Sequence, residues 1–219
     1  QDILVVSFGV AKMALVAYDS VLGRLETISI HNFDAGAIGP GAAGDRPRTI
    51  SSSDPAGRCL AAVVAGCQLV VLPARRHVPG SRREETTERR LAVRLAVRPV
   101  VLTTGAMTTT TTTTTIAFIK AAAFLEGFHE PALALLYEPI QTCAGRLASK
   151  RSTCRLALLS INLTQGRAPV IWQVKNLPHD SWDLVPVPSP IGGLQVISTN
   201  AVVHVNQSEV RSILAVNGY

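Results

Sequence analysis

The spacing of apolar residues constrains this chain most: short β-branched or alternating runs follow one another, each cut by a turn, and none carries a stripe at helical period. Three such runs open the sequence, ILVVSF (residues 3–8), MALVAYD (13–19) and LETISIH (25–31). The turn at 20–24 contains Gly23, which reaches positive φ without steric cost, so a three-stranded meander is predicted. After a Gly- and Pro-rich loop at 35–47 come a turn at Asp54-Pro55-Ala56-Gly57, a strand at 59–64, a tight Ala65-Gly66 turn and a strand at 68–72. ALALLYE (132–138) reads as a buried strand, because Pro131 bars a helix from running into it. Further strands are expected at 153–163, 168–174, 182–188, 193–199 and 201–207, the last two as a hairpin across Thr199-Asn200. About ten short strands with local turns predict an all-β antiparallel protein, leaving sandwich, barrel and propeller as architectures.

Residues 79–120 break the pattern with SRREETTERR, the arginine-spaced LAVRLAVRPVVL and an unbroken threonine run from Thr108 to Thr115. Threonine suits a strand, but a uniform run has no inside and outside face and specifies no register. The interval 79–123 is therefore expected to be a poorly ordered insertion or loop. LAVRLAVR is read as one strand beside a solvated charge run rather than as a basic amphipathic helix.

Composition sets the remaining bounds. With 219 residues, 47% hydrophobic and 16% charged, the chain is a packed domain rather than a disordered one. The net charge of +6 permits contact with nucleic acid or an acidic partner, and much of the excess lies in residues 75–98. Cys59, Cys67, Cys143 and Cys154 form no C-x-x-C pair and have no histidines at zinc-ligand spacing, so they are read as free core thiols, with no metal and no cofactor expected. Two glycosylation sequons start at Asn162 and Asn206 and would matter only in a secreted protein. The longest apolar stretch, 3–18, is interrupted by Gly9 and Lys12 and falls short of the roughly 20 residues of a membrane helix. A soluble intracellular protein is expected, and the strand-like start without methionine suggests a piece of a longer chain.

No catalytic constellation stands out. His179-Asp180-Ser181 offers base, orienter and nucleophile, but adjacent residues seldom aim at one centre, and a polar turn is the expectation. The loop PSPIGG lacks the G-x-G-x-x-G spacing of a dinucleotide-binding turn. Its Pro188 and Pro190 keep it off the ladder, while Gly192 and Gly193 allow positive φ or a close approach. Arg75, Arg76, Arg82 and Arg83, with Arg146, Lys150 and Arg151 later, are candidate contacts to phosphate, RNA or an acidic partner. Single-strand readers add stacking aromatics, and only 5% of the residues are aromatic, which makes these cations an accessory surface at most.

Blades of roughly 40–50 residues would give about four or five in this length. The order DPAGRC…VVLPARR, FLEGFHEPALALLYEP and AGRLASKRSTCRLALLSINLTQGRAPVIWQVKNLPHDSWDLVPVPSPIGGLQVISTNAVVHVNQS resembles the N-terminal propeller of the family of largest subunits of the cleavage and polyadenylation specificity factor. Its cousins, the damaged-DNA-binding adaptor of ubiquitin ligases and a large subunit of the U2 splicing particle, share the generic P-x-G-G hairpin. The ordered block LLYEP, AGR, STC, INLTQ, PVIW and LPHD favours the polyadenylation member. The resemblance implies a WD40-like propeller, seven-bladed in the family, with four-stranded antiparallel blades, of which residues 1–219 form one partial domain. Pro131 then opens a strand near the propeller axis. It further implies a noncatalytic nuclear scaffold in pre-mRNA 3′-end processing. Its partners would be a WD-repeat subunit and a zinc-finger subunit that read AAUAAA, with pre-mRNA contacted indirectly and no membrane involved.

Overall fold

The structure, a computed structural model, describes residues 3–8, 12–19, 22–32, 50–64, 68–74, 100–103, 107–108, 113–114, 116, 118–140 and 142–216. Four antiparallel sheets account for almost all of them, each a meander whose strands lie side by side in chain order. The first is β1 (Ile3–Phe8), β2 (Lys12–Asp19) and β3 (Arg24–Asn32); the second is β4 (Ile50–Ser53), β5 (Cys59–Val64), β6 (Gln68–Pro73) and β7 (Val100–Thr103). A two-stranded pairing of β8 (Met107–Thr108) with β9 (Thr113–Thr114) follows. The third sheet is β10 (Ile119–Leu125), β11 (Ala132–Tyr137), β12 (Cys154–Ser160) and β13 (Val170–Leu177), with a short helix α1 (Ala144–Ser149) between its middle strands. The fourth is β14 (Ser181–Pro186), β15 (Leu194–Ser198), β16 (Ala201–Asn206) and β17 (Glu209–Ala215).

The sheets stack face to face in chain order. Met13 and Leu15 of the first pack on Ala62, Val70 and Leu72 of the second. The alternate residues of the second sheet, Cys59, Ala61, Val63, Leu69 and Val71, meet Phe124, Leu133, Leu135 and Tyr137 of the third. The other face of the third, with Ala132, Ala134, Leu136, Leu156 and Leu158, covers Leu184, Leu194, Val196, Val203 and Val205 of the fourth. Successive residues of a strand face opposite sides, so a strand covered on both sides must be apolar throughout. That is why ALALLY runs unbroken and every residue of β11 is buried. Each fully covered leucine contributes about 1.5–3 kcal/mol.

The strands expected at 3–8, 13–19, 25–31, 59–64, 68–72 and 132–138 form, as do the later five with ends shifted by a few residues. Several elements differ from expectation. β10 is an edge strand of its sheet and touches the first strands of both neighbouring sheets, β4 and β14, with β11 second from that edge. Of the interval 79–123, expected to be a poorly ordered insertion or loop, residues 79–99 lie outside the described residues, and its described part includes β7, which pairs with β6, the β8–β9 pairing and most of β10. Threonine's β-branch favours strand backbone even where it sets no face. LAVRLAVR and the Ala65-Gly66 turn lie outside the described residues. Cys59 and Cys154 are buried free thiols as expected, but Cys143 is exposed at the start of α1.

Candidate functional site

Polar clamps, not a catalytic cleft, are the distinctive chemistry of the described residues. The first begins at Asp54, which follows β4 at the start of a turn that passes through Gly57 at φ +66°. Its buried carboxylate accepts from the Arg58 amide at 3.1 Å, from Nε at 2.7 Å and from Nη2 at 2.9 Å. The remaining Arg58 nitrogen, Nη1, donates to the carbonyls of Phe128 at 3.1 Å and His129 at 2.6 Å, in the β10–β11 turn of the next sheet. Burial pushes the Asp54 carboxyl up, and the hydrogen bonds and charge of Arg58 more than offset this, leaving it below the usual range.

The second clamp is centred on Glu138, buried at the end of β11. Its carboxylate accepts from the Thr142 hydroxyl at 2.6 Å, the Thr142 amide at 3.1 Å and the Thr153 hydroxyl at 2.8 Å, and pairs with Lys120 Nζ at 3.0 Å. Lys120, on β10, also donates to the His179 carbonyl at 2.6 Å, in the loop leading into the fourth sheet. Burial raises the Glu138 carboxyl, and the bonds from Thr142, Lys120 and Thr153 outweigh it, so the group stays below its ordinary value. A third carboxylate, Glu130, accepts from the hydroxyl of Ser160 and from Asn162 Nδ2 at 3.0 Å. Asn162 Oδ1 in turn accepts the amides of Thr164 at 3.1 Å and Gln165 at 2.8 Å, so this sequon asparagine is engaged at both ends of its carboxamide.

The PSPIGG loop closes on itself, with the Val187 amide donating to Gly193 O at 3.0 Å and the Gly192 amide to Pro188 O at 3.1 Å. Gly192 lies at φ +68° and Gly193 at φ +81°, following a cis Ser189-Pro190 bond. A Cβ on Gly193 would stand 2.4 Å from Val205 O, so that position admits only glycine. Strand β15, not a helix, follows the loop, which removes the geometry a dinucleotide turn needs. Pro131 leads into β11 and its carbonyl accepts from the Ile161 amide at 2.8 Å, tying the start of β11 to the end of β12.

Arg75, Arg76, Arg82 and Arg83 lie outside the described residues. Arg146 sits in α1 with Nη1 donating to Ile140 O, while Lys150 and Arg151 are exposed just beyond its end. The hydroxyl of Ser181 donates to Pro178 O at 2.7 Å, and His179 directs Nδ1 to Arg151 O at 3.1 Å, so these two side chains do not face each other as nucleophile and base. No grouping of three or more potential metal ligands occurs among the described residues. The clamps themselves were not anticipated. Asp and Arg four apart around a Gly turn was the available signal for the first; the lysine and glutamate of the second are brought together only by strand pairing.

A family model described as the RSE1/DDB1/CPSF1 first beta-propeller matches residues 1–217. Cleavage and polyadenylation specificity factor subunit 1 of Drosophila melanogaster is 33% identical over 211 residues, covering 95% of this chain and 14% of that protein. The protein of the same name in Arabidopsis thaliana is 30% identical over 226 residues, covering 100% of this chain and 15% of its own length. The probable subunit 1 of Caenorhabditis elegans is 29% identical across 95% of this chain and 13% of that protein. The chain thus spans 13–15% of the length of these relatives.

Proposed function

Because this chain belongs to the RSE1/DDB1/CPSF1 first β-propeller family, we propose that it is a noncatalytic scaffold module of the pre-mRNA 3′-end cleavage and polyadenylation complex, part of one propeller in a longer subunit. A role in that complex follows from relatives named as its subunit 1. The scaffold role is carried by the stacked sheets, whose interfaces are closed by apolar strands and pinned by Arg58 and Lys120. Connecting loops held this way bind partners with little ordering cost. The outer faces of the first and fourth sheets remain apolar, with Leu4, Leu25 and Ile30 exposed on one and Val185 and Leu214 on the other. Such faces fit further blades of the same propeller packing on both sides.

On this reading the protein acts in the nucleus and organises the WD-repeat and zinc-finger subunits that read AAUAAA, while pre-mRNA is met through them. The test is an extract depleted of the full-length protein. Cleavage of an AAUAAA substrate is expected to stop, and the remaining subunits to separate on gel filtration; subunits that still co-elute while cleavage is lost would refute the scaffold role. An adaptor role in a related ubiquitin-ligase or U2 splicing assembly is the second reading, favoured only by the shared family description.

A further inference from the structure

The connector between β11 and β12 carries unbalanced positive charge. Residues 139–153, PIQTCAGRLASKRST, contain Arg146, Lys150 and Arg151 and no carboxylate. The adjoining Glu138 does not compensate, because it is buried and turned toward Lys120, Thr142 and Thr153. Asp180, in the loop that meets Arg151, offsets one of the three charges and leaves the end of the sheet positive.

The backbone that carries the cations is held in place rather than left as a free tail. The Lys150 amide closes α1 on Arg146 O at 2.8 Å, and the His179 amide donates to Arg151 O at 3.0 Å, which ties the end of the basic run to the loop leading into the fourth sheet. The Arg146 guanidinium is turned back onto Ile140 O. Two apolar side chains accompany them: Ile140, 63% exposed at the start of the connector, and Trp182, 58% exposed, the second residue of the strand that leaves the His179 loop.

We propose that this connector docks an acidic, partly apolar segment of a partner protein, with carboxylates on Arg146, Lys150 and Arg151 and an apolar side chain against Ile140 or Trp182. Guanidinium groups pair with carboxylates in a two-pronged geometry, and fixed cations beside apolar surface give a rim and an anchor to one short peptide. A single-stranded nucleic acid is met instead by a groove that tracks its backbone with several stacking aromatics. Here the cations arise in and just after a helix of six residues, about 9 Å long, with one exposed tryptophan three residues beyond the His179 that meets Arg151. The inference rests on the scaffold reading above for the existence of a partner and adds that partner's chemistry.

The test uses the native complex containing the full-length protein and a carbodiimide, which joins a lysine amine directly to a carboxylate. Mass spectrometry is expected to find Lys150 coupled to an Asp or Glu of another subunit. Arg151→Glu, which keeps Lys150 as the reporter, is expected to lower that coupling on the order of tenfold while the other subunits still co-purify. An intact complex in which Lys150 couples to no other subunit overturns the proposal. So does ultraviolet crosslinking of RNA to the connector or to Trp182. If no subunit co-purifies with the wild-type protein, the scaffold reading fails and takes this inference with it.

Discussion

Arg58 grips Asp54 through Nε at 2.7 Å and Nη2 at 2.9 Å while its third nitrogen reaches the His129 carbonyl at 2.6 Å, so one side chain closes a turn in the second sheet and ties it to the third. The two partners are unequally buried: the Asp54 side chain is fully covered, and that of Arg58 is 29% exposed. Removing the arginine strands a buried carboxylate, whereas removing the carboxylate leaves a cation that water can reach. Arg58→Met is therefore expected to cost roughly 3 kcal/mol and Asp54→Asn roughly 1–2 kcal/mol. Denaturant midpoints of the two variants check the order, and equal or inverted losses would contradict it.

Asp54 and Glu138 both sit below their ordinary values for the same reason: burial raises each, and donated hydrogen bonds with a neighbouring cation outweigh burial. A carboxyl depressed in the folded state contributes stability that is present above its unfolded value and is lost as the pH falls through the folded one. Stability is expected to be flat from neutral pH down to about 5 and to fall below about 4. In the Asp54→Asn, Glu138→Gln double variant that acid-side fall should be shallower, as read by thermal unfolding across a pH series. An unchanged slope would show that neither clamp carries the acid sensitivity.

Much of this fold could be read from alternation alone, and the exceptions are physical. The strands that bury both faces or alternate cleanly were legible, ALALLY most of all. β4 (ISSS) is polar, and β17 (EVRSILA) is exposed along its whole length, so neither shows a buried face in its sequence. β10 (IKAAAFL) is built on alanines, which favour helix in isolation. Tertiary packing decides there, because Ala121 and Ala123 are small enough to lie between β10's own sheet and the fourth. The Lys120–Glu138 pair was illegible because its residues are 18 apart in sequence and meet only through the β10–β11 register, next to Ile119 opposite Tyr137.

Gly193 and Gly57 separate two costs of a side chain. Both have positive φ, but a Cβ on Gly57 meets nothing within 4 Å, while one on Gly193 stands 2.4 Å from Val205 O and 3.0 Å from Asn206 Cβ. Gly57→Ala is expected to lose only the left-handed backbone penalty, about 1–2 kcal/mol. Gly193→Ala adds a collision with backbone and should lose clearly more, with hydrogen exchange accelerated in β15 and β16. Equal losses in the two variants would mean that the hairpin relaxes freely.

The described thiols should differ sharply in reactivity. Burial pushes Cys59 up to about 12, with the Asp54 charge adding to it, and burial pushes Cys154 up to about 11, whereas Cys143 is exposed. Thiolate is the reactive form, so iodoacetamide at neutral pH is expected to label Cys143 first and to reach Cys59 and Cys154 only after unfolding. Peptide mass spectrometry reads the order, and early labelling of Cys59 or Cys154 would contradict the packing described.

The central claim is that this propeller belongs to a scaffold of the 3′-end processing machinery. Affinity purification of the tagged full-length protein from cell extract, with mass spectrometry of what accompanies it, tests that most directly. The account predicts recovery of the other cleavage and polyadenylation subunits in stoichiometric amounts. Recovery of ubiquitin-ligase or splicing components in their place would contradict it.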